Sequence, residues 1–320
     1  MQIHQVTPEE QGLRPDMLLA RLLSCSRTQA QDILKKQETS VNGKISRGSV
    51  KLGEGDEISF EAVVKNDPLA PENEVGTIKK VRKTKKTHPM PPILYEDDDI
   101  VALEKPAGIL VHSITENADQ ATLVDALRLA YPSIKNVGDK PELRPGIVHR
   151  LDKMVSGVML VAKTRAGFEA LKEQFQARTI LKEYQALTYG RLPKDSGTIT
   201  FPIARGVEGR YVARPESQEG KDARTDYLVE ARFKTATLVR AFPKTGRTNQ
   251  IRLHFAAIGH PLVGDSLYGR KMKNIREIPL PRLFLHAEKI TFKNLEGKTV
   301  AVESPLPEVL KQLLTTLPTK

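Results

Sequence analysis

Tryptophan is absent from this 320-residue chain, cysteine occurs once, and aromatic residues make up only 5% of it. The lone Cys25 excludes an internal disulfide and a four-cysteine zinc site. No apolar run approaches the roughly 20 residues needed to cross a bilayer. The segment Met1–Glu10 has neither the charged-then-apolar order of a signal peptide nor the acid-poor character of a transit peptide, so a cytoplasmic protein away from membranes is expected. Acidic residues are in deficit too: 39 against 50 Lys and Arg, a net charge of +11. That balance suits a polyanionic partner. A hydrophobic content of 39% over this length is enough for one large domain and a small one.

What is present falls into three zones. In the first, residues 14–62, Asp16–Leu23 and Ser26–Lys36 read as two short helices, with Ser26 a natural N-cap for the second. Val41-Asn-Gly-Lys44 is a hairpin signal, because Asn-Gly supplies the positive φ angles of a tight turn. Gly53-Glu-Gly-Asp56 is a second turn, leading into Ile58-Ser-Phe60. Residues 63–90 carry Pro68, Pro71 and the run Lys79-Lys-Val-Arg-Lys-Thr-Lys-Lys86, six cations in eight residues, and read as an exposed basic linker. Residues 91–320 hold most of the apolar material. Strands are expected at Ile100–Glu104, Val158–Ala162, Glu183–Tyr189, Asp226–Phe233 and Thr237–Phe242. Helices are expected at Thr122–Ala130, Arg165–Ala177, Gln250–Ile258 and Pro307–Thr315, and Phe168, Leu171 and Phe175 give the second of these an apolar face for the core.

One stretch concentrates chemistry: Gly146-Ile-Val-His-Arg-Leu-Asp-Lys-Met-Val-Ser-Gly157. Asp152 lies among His149, Arg150 and Lys153 at the mouth of an apolar strand. Nearby positive charge favours the carboxylate, so it is expected to stay ionised at neutral pH. Such a group can serve as nucleophile, base or electrostatic stabiliser, and a surface salt bridge at a turn is the plain alternative. Tyr184 stands in Leu181-Lys-Glu-Tyr-Gln-Ala-Leu187, on the same strand face as Ala186, where a tyrosine is ordinarily a core residue. Thr245-Gly-Arg-Thr-Asn-Gln-Ile-Arg-Leu-His254 is a turn opening a helix, whose backbone amides and Arg247 can meet phosphate, and Arg252 follows within two turns. The acid run Glu96-Asp-Asp-Asp99 reads as a solvated turn between strands, since neighbouring side chains in an extended segment alternate sides and cannot share a cation. His254 and His260 lack a third ligand at sensible spacing, so no metal is expected.

The words His149-Arg-Leu-Asp and Ser156-Gly, with Lys105-Pro-Ala-Gly108, Lys182-Glu-Tyr-Gln-Ala186, Thr245-Gly-Arg-Thr and Leu283-Phe-Leu-His286, resemble pseudouridine synthases of the RluA type, in particular those like RluC and RluD. The match runs from about Asp16 to Phe292. The first zone resembles the small RNA-binding module of a small-subunit ribosomal protein, the S-four type, with Arg21, Arg27, Lys35, Lys36 and Lys44 as candidate phosphate contacts. The resemblance implies an α+β catalytic domain over 91–320, a mixed and mostly antiparallel sheet about a central cleft, with a small α/β RNA-binding domain at 14–62. It implies Asp152 as the essential catalytic residue, Tyr184 stacking on the flipped uracil, and Arg252 pairing with Asp152. Arg150 and Arg247 join the RNA contacts. Uridine would be isomerised in structured RNA, foremost large-subunit ribosomal RNA, by a monomer needing no cofactor. Whether Asp152 adds to the sugar or removes its neighbouring proton stays open. Two alternatives remain: a synthase acting on transfer RNA, and a non-catalytic RNA-binding assembly factor that kept the fold. Met154-Val155, in place of the usual polar residue and threonine, and Asn249, where the family normally has histidine, depart from the pattern.

Overall fold

The computed structural model describes residues 2–23, 30, 33–34, 39–45, 50–60, 87–113, 120–206, 210–214, 219–269 and 277–319. The chain divides into two compact units, 1–79 and 80–320. In the first, strands β1 (Gln2–Gln5), β2 (Thr39–Val41), β3 (Lys44–Ile45) and β4 (Glu57–Phe60) form an antiparallel sheet in the order β1-β4-β2-β3. β1 lies upstream of residue 14, where the sequence pattern first becomes legible. Helix α1 (Pro15–Leu22) starts on a proline, whose fixed φ suits a first turn. Leu18, Leu19, Leu52, Ile58 and Phe60 are the heart of its core.

The two turn signals prove to be partners. Asn42 and Gly43 take φ of 50° and 75°, the left-handed pair that a two-residue hairpin turn demands. The Asn42 amide then donates to Asp56 at 2.8 Å and accepts from the Glu57 amide at 2.8 Å. Most of the expected helix Ser26–Lys36 and of the basic linker lies outside the described residues.

The second unit is built on a nine-stranded sheet. Its strands are β5 (Ile93–Glu96), β6 (Ile100–Lys105), β7 (Ser156–Ala162), β8 (Leu181–Tyr189), β9 (Ser196–Ile199), β12 (Thr225–Arg232), β13 (Ala236–Pro243), β14 (Leu285–Lys293) and β15 (Thr299–Glu303). Two short strands, β10 (Ile203–Arg205) and β11 (Tyr211–Ala213), pair separately. The order runs β5-β6-β7-β14-β8-β13-β12-β9, with β15 on β14; only the β7–β14 ladder is parallel among the described pairings. This is the mixed, mostly antiparallel α+β sheet expected.

Its centre is covered on both faces. Val101, Leu103, Met159 and Val161 enter one core with Leu123, Val124 and Leu127 of α2 (Leu123–Ala130). Ile100, Ala102, Val158 and Leu160 enter another with Phe168 and Leu171 of α3 (Arg165–Gln176). Burial on both sides is why β7 reads as an unbroken apolar run rather than an alternating one. Thr122 and Thr164 cap the two helices by accepting from Asp125 N and Gly167 N. Helices α4 (Gln250–Ala257) and α5 (Glu308–Thr316) complete the unit. The acid run is the β5–β6 turn, where Asp97 accepts from the amides of Asp99 and Ile100 at 2.9 and 2.7 Å. Among the described residues no helix is long and apolar enough to cross a membrane.

Candidate active site

Asp152 sits on the loop that enters β7, and three devices fix that loop. Ser156 begins β7 and pairs with His286 of β14. The Arg282 guanidinium donates to Ser156 Oγ at 2.7 Å, and Ser156 lies 2.9 Å from His286 Nδ1. His286 Nε2 donates to the Ser304 carbonyl at 2.9 Å. Burial pushes the His286 imidazole down to about 4, so a neutral ring accepts the serine proton at Nδ1. Gly157 has φ 117°, and a Cβ there would collide with the Ala287 carbonyl, so no other residue fits where the two strands approach. The third device is the Lys105-Pro-Ala-Gly108 loop: Gly108 N donates to the Lys153 carbonyl at 2.7 Å, and Lys105 Nζ reaches the same oxygen at 3.3 Å.

A cavity of about 470 Å³ opens beside Asp152, and Arg150, Tyr184, Arg247 and Arg252 also line it. Its charged lining is one-sided: Arg150, Arg178, Lys182, Lys244, Arg247 and Arg252 surround Asp152 alone. Burial is the strongest influence on Asp152 and raises its pKa above the ordinary carboxylate value; Arg252, Arg150 and Lys105 pull the other way. The neighbouring cations favour the charged form, as the sequence implies, and the water removed by folding opposes it.

Tyr184 rises from β8 with its ring half-buried against the core around Ala186 and Leu285. Burial, and then the charge of Asp152, push its phenol well up, so the ring is neutral. His149 is pushed down to about 3 by burial and by Lys182. Its Nε2 accepts from Leu160 N at 2.9 Å and its ring packs on Phe175 with centroids 4.7 Å apart. It is a neutral wall of the cavity.

Arg252 approaches Asp152 at 3.7 Å, an ion pair but not a hydrogen bond. Its bidentate partner is Asp265: Nε and Nη2 each donate to that carboxylate at 2.8 Å. Nη1 donates to Asn249 Oδ1 at 2.8 Å, Asn249 Nδ2 donates to the Tyr268 hydroxyl at 3.0 Å, and the guanidinium lies 5.0 Å from the Tyr268 ring centre. The pairing read from the sequence is therefore present but secondary. Asp265 was missed although Gly264-Asp265-Ser266 was in view, because nothing local links it to a residue thirteen positions earlier. Asn249 now has a place as well, holding the third guanidinium nitrogen. Lys105 was also missed as a charge. Its ammonium is fully buried, donates to the Pro106 and Ile109 carbonyls at 2.8 and 3.0 Å, and is pushed down to about 7 by burial against the pull of Asp152.

Among the RNA-contact candidates, Arg150 is exposed at the cavity, and Arg247 is half-buried with Nε on the Asp222 carbonyl at 2.9 Å. Of the amides of the Thr245-Gly-Arg-Thr turn, expected to be able to meet phosphate, one is already spent within the turn. Arg247 N donates to Gln250 Oε1 at 3.1 Å, closing that turn on itself. In the first unit Arg21 and Lys44 are exposed, whereas Arg27, Lys35 and Lys36 lie outside the described residues. His254 spends both nitrogens on Thr225 and Phe201, and His260 bonds the Tyr189 carbonyl. Among the described residues no group of three or more His, Cys, Asp or Glu side chains is arranged to hold a metal ion.

Comparison with known proteins points to the same region. The profile of a family described as RNA pseudouridylate synthase matches residues 99–257. The chain is 36% identical over 309 residues to ribosomal large subunit pseudouridine synthase D of Nitrosomonas europaea, covering 95% of this chain and 84% of that one. It is 34% identical over 322 residues to ribosomal large subunit pseudouridine synthase C of Escherichia coli, covering 98% and 96%. Its fold is similar to that of the human protein RNA pseudouridylate synthase domain containing 1, with 27% identity and a TM-score of 0.55 over 71% of this chain and 96% of that one.

Proposed function

We propose, given that the chain belongs to the RNA pseudouridylate synthase family, that it isomerises uridine to pseudouridine in large-subunit ribosomal RNA, the substrate named for its relatives in Nitrosomonas europaea and Escherichia coli. The observation that carries the reading is the convergence of Asp152, Tyr184 and Arg252 on one cavity with six cations and a single carboxylate. A hydrolytic glycosidase would normally need a second carboxylate facing the same bond.

In the proposed reaction a uridine leaves its stack and its uracil lies against the Tyr184 ring, which covers the exposed π-face. Asp152 promotes cleavage of the bond between N1 and the anomeric carbon, either by adding to that carbon or by taking the neighbouring sugar proton. The freed uracil turns in place, its C5 bonds to the anomeric carbon, and the C5 proton departs. No atom is gained or lost overall. Arg252 sets the charge at Asp152 without a hydrogen bond to it, so the carboxylate oxygens remain available to the sugar.

We also assign RNA contact to Arg150 and Arg247 at the cavity and to Arg21, Arg27, Lys35, Lys36 and Lys44 in the small domain at 14–62, joined by a basic linker at 63–90 to the catalytic domain at 91–320. The reading includes a cytoplasmic monomer. Mapping pseudouridines in ribosomal and transfer RNA from cells with and without the gene tests it. Loss of large-subunit sites, restored by the wild-type protein and not by Asp152→Asn, is the expected outcome. Loss confined to transfer RNA would move the substrate, and no loss at all would refute the reading.

A further inference from the structure

Lys182 stands on β8 two residues before Tyr184, and side chains at i and i+2 of a strand share a face. Both line the cavity. The Lys182 ammonium is largely removed from water, and the charges acting on it come from Lys244 and Arg178, both positive; burial and these two push it down to about 8. Among the described residues no carboxylate pairs with Lys182 or with Arg178, and Lys244 meets only Asp226, at 3.9 Å.

Several half-buried cations elsewhere meet carboxylates: Arg252 has Asp265, Arg240 has Glu183, Glu230 and Glu288, and Lys163 has Glu96. Lys105, Arg247 and Arg282 donate instead to carbonyl or hydroxyl oxygens. Lys182 has neither kind of partner among the described residues. A cation withdrawn from water ordinarily has a counter-charge, because desolvation and like-charge repulsion both oppose it. Arg178 adds a second sign. Its φ of 58° is the left-handed conformation at the end of α3 that glycine adopts at least cost. Its amide closes the helix on the Phe175 carbonyl at 3.3 Å. An arginine stands where backbone geometry favours glycine, and Arg178 lines the cavity.

We propose that Arg178, Lys182 and Lys244 form an anion seat in the cleft that holds a backbone phosphate next to the flipped uridine. The proposal rests on the function proposed above and deepens it. A nucleotide that swings its base against Tyr184 brings its own flanking phosphates to the pocket. A phosphate satisfies the seat's chemistry: Lys182 supplies a compact charge with three rotatable donors, and Arg178 supplies a planar fork for two oxygens.

The test uses the full-length protein and a synthetic RNA carrying the uridine mapped as above, with each flanking phosphate replaced in turn by an uncharged methylphosphonate. For the wild type, one replacement should weaken binding about tenfold. Lys182→Met should weaken binding to the unmodified RNA by a similar factor, lower the salt slope by about one, and abolish the effect of that same methylphosphonate. Arg178→Gln and Lys244→Gln alter exposed side chains without risk to the fold and should couple to the same phosphate. Lys172→Met, whose amine pairs with Asp139 outside the cleft, should change nothing. Additive losses at every phosphate, or unchanged salt slopes in all three cleft variants, would overturn the seat. Wild-type protein that forms no pseudouridine in the unmodified RNA would instead refute the function on which it rests.

Discussion

Replacing Asp265 with asparagine keeps the shape of the side chain and removes the charge that holds Arg252. The wild-type carboxylate is wholly buried and accepts four hydrogen bonds, two from Arg252 at 2.8 Å and one each from the amides of Leu267 and Tyr268 at 3.0 Å. Asparagine offers one acceptor oxygen and turns an NH2 toward groups that are themselves donors. Breaking a buried ion pair costs about 3–5 kcal/mol. The low end applies here, because Arg252 keeps 11% of its side chain in water and has Asp152 at 3.7 Å as a substitute partner. About 3 kcal/mol in a unit of this size corresponds to a fall of roughly 6–12 °C in Tm.

The same substitution should move the chemistry. The charge of Asp265 is one of the influences that raise Asp152, and Arg252 is the leading one that lowers it. Neutralising Asp265 removes the first and frees the second to turn toward Asp152. The folded-state pKa of Asp152 then falls, its carboxylate stays ionised to lower pH, and the acid limb of the single-turnover profile shifts to lower pH. The maximum rate should fall as well, because the guanidinium now occupies oxygens meant for the sugar. Thermal melts and single-turnover rates across pH, at saturating RNA, measure both effects. A Tm within about 2 °C of wild type, or an acid limb that stays put or moves up, would refute the reasoning.

Asp152→Asn should abolish pseudouridine formation while RNA affinity stays within a few fold, measured by gel shift and by product assay on protein made free of host enzyme; turnover by that variant sinks the mechanism. Tyr184→Phe should retain far more single-turnover activity than Tyr184→Ala, because the ring face survives; equal loss in both would make the hydroxyl the working group. His149 and His286 are neutral when folded, pushed down to about 3 and about 4, whereas in the unfolded chain each takes up a proton near 6.5. The unfolded state binds more protons in that window, so stability should fall as pH drops from about 6.5 toward 4. His286→Leu should flatten the fall in Tm over that range, and a curve as steep as wild type would count against it.

Much of this protein is legible in its sequence because the signals are local. The Asn42-Gly43 turn, the apolar face of α3 and the apolar run of β7 each follow from backbone preferences or from a local period over a few residues. Asp152, Tyr184 and Arg252 stood out because each sits in a short word that resembles a family motif; spacing alone left a turn salt bridge and a core tyrosine open. β14 escaped notice as a strand although its words were quoted, since its residues Leu285–Lys293 mix buried and half-exposed positions in no clean period.

Tertiary structure alone decided the pairings. Asp265 meets Arg252 because β8 and the β14 approach enclose the turn between them, and Ser156 meets His286 across 130 residues. Whether Asp152 rises or falls in pKa depends on how much water the fold removes, a quantity no count of neighbouring arginines contains. The excess of cations was written in the composition. Which cations are matched by a carboxylate was settled only when distant strands came together.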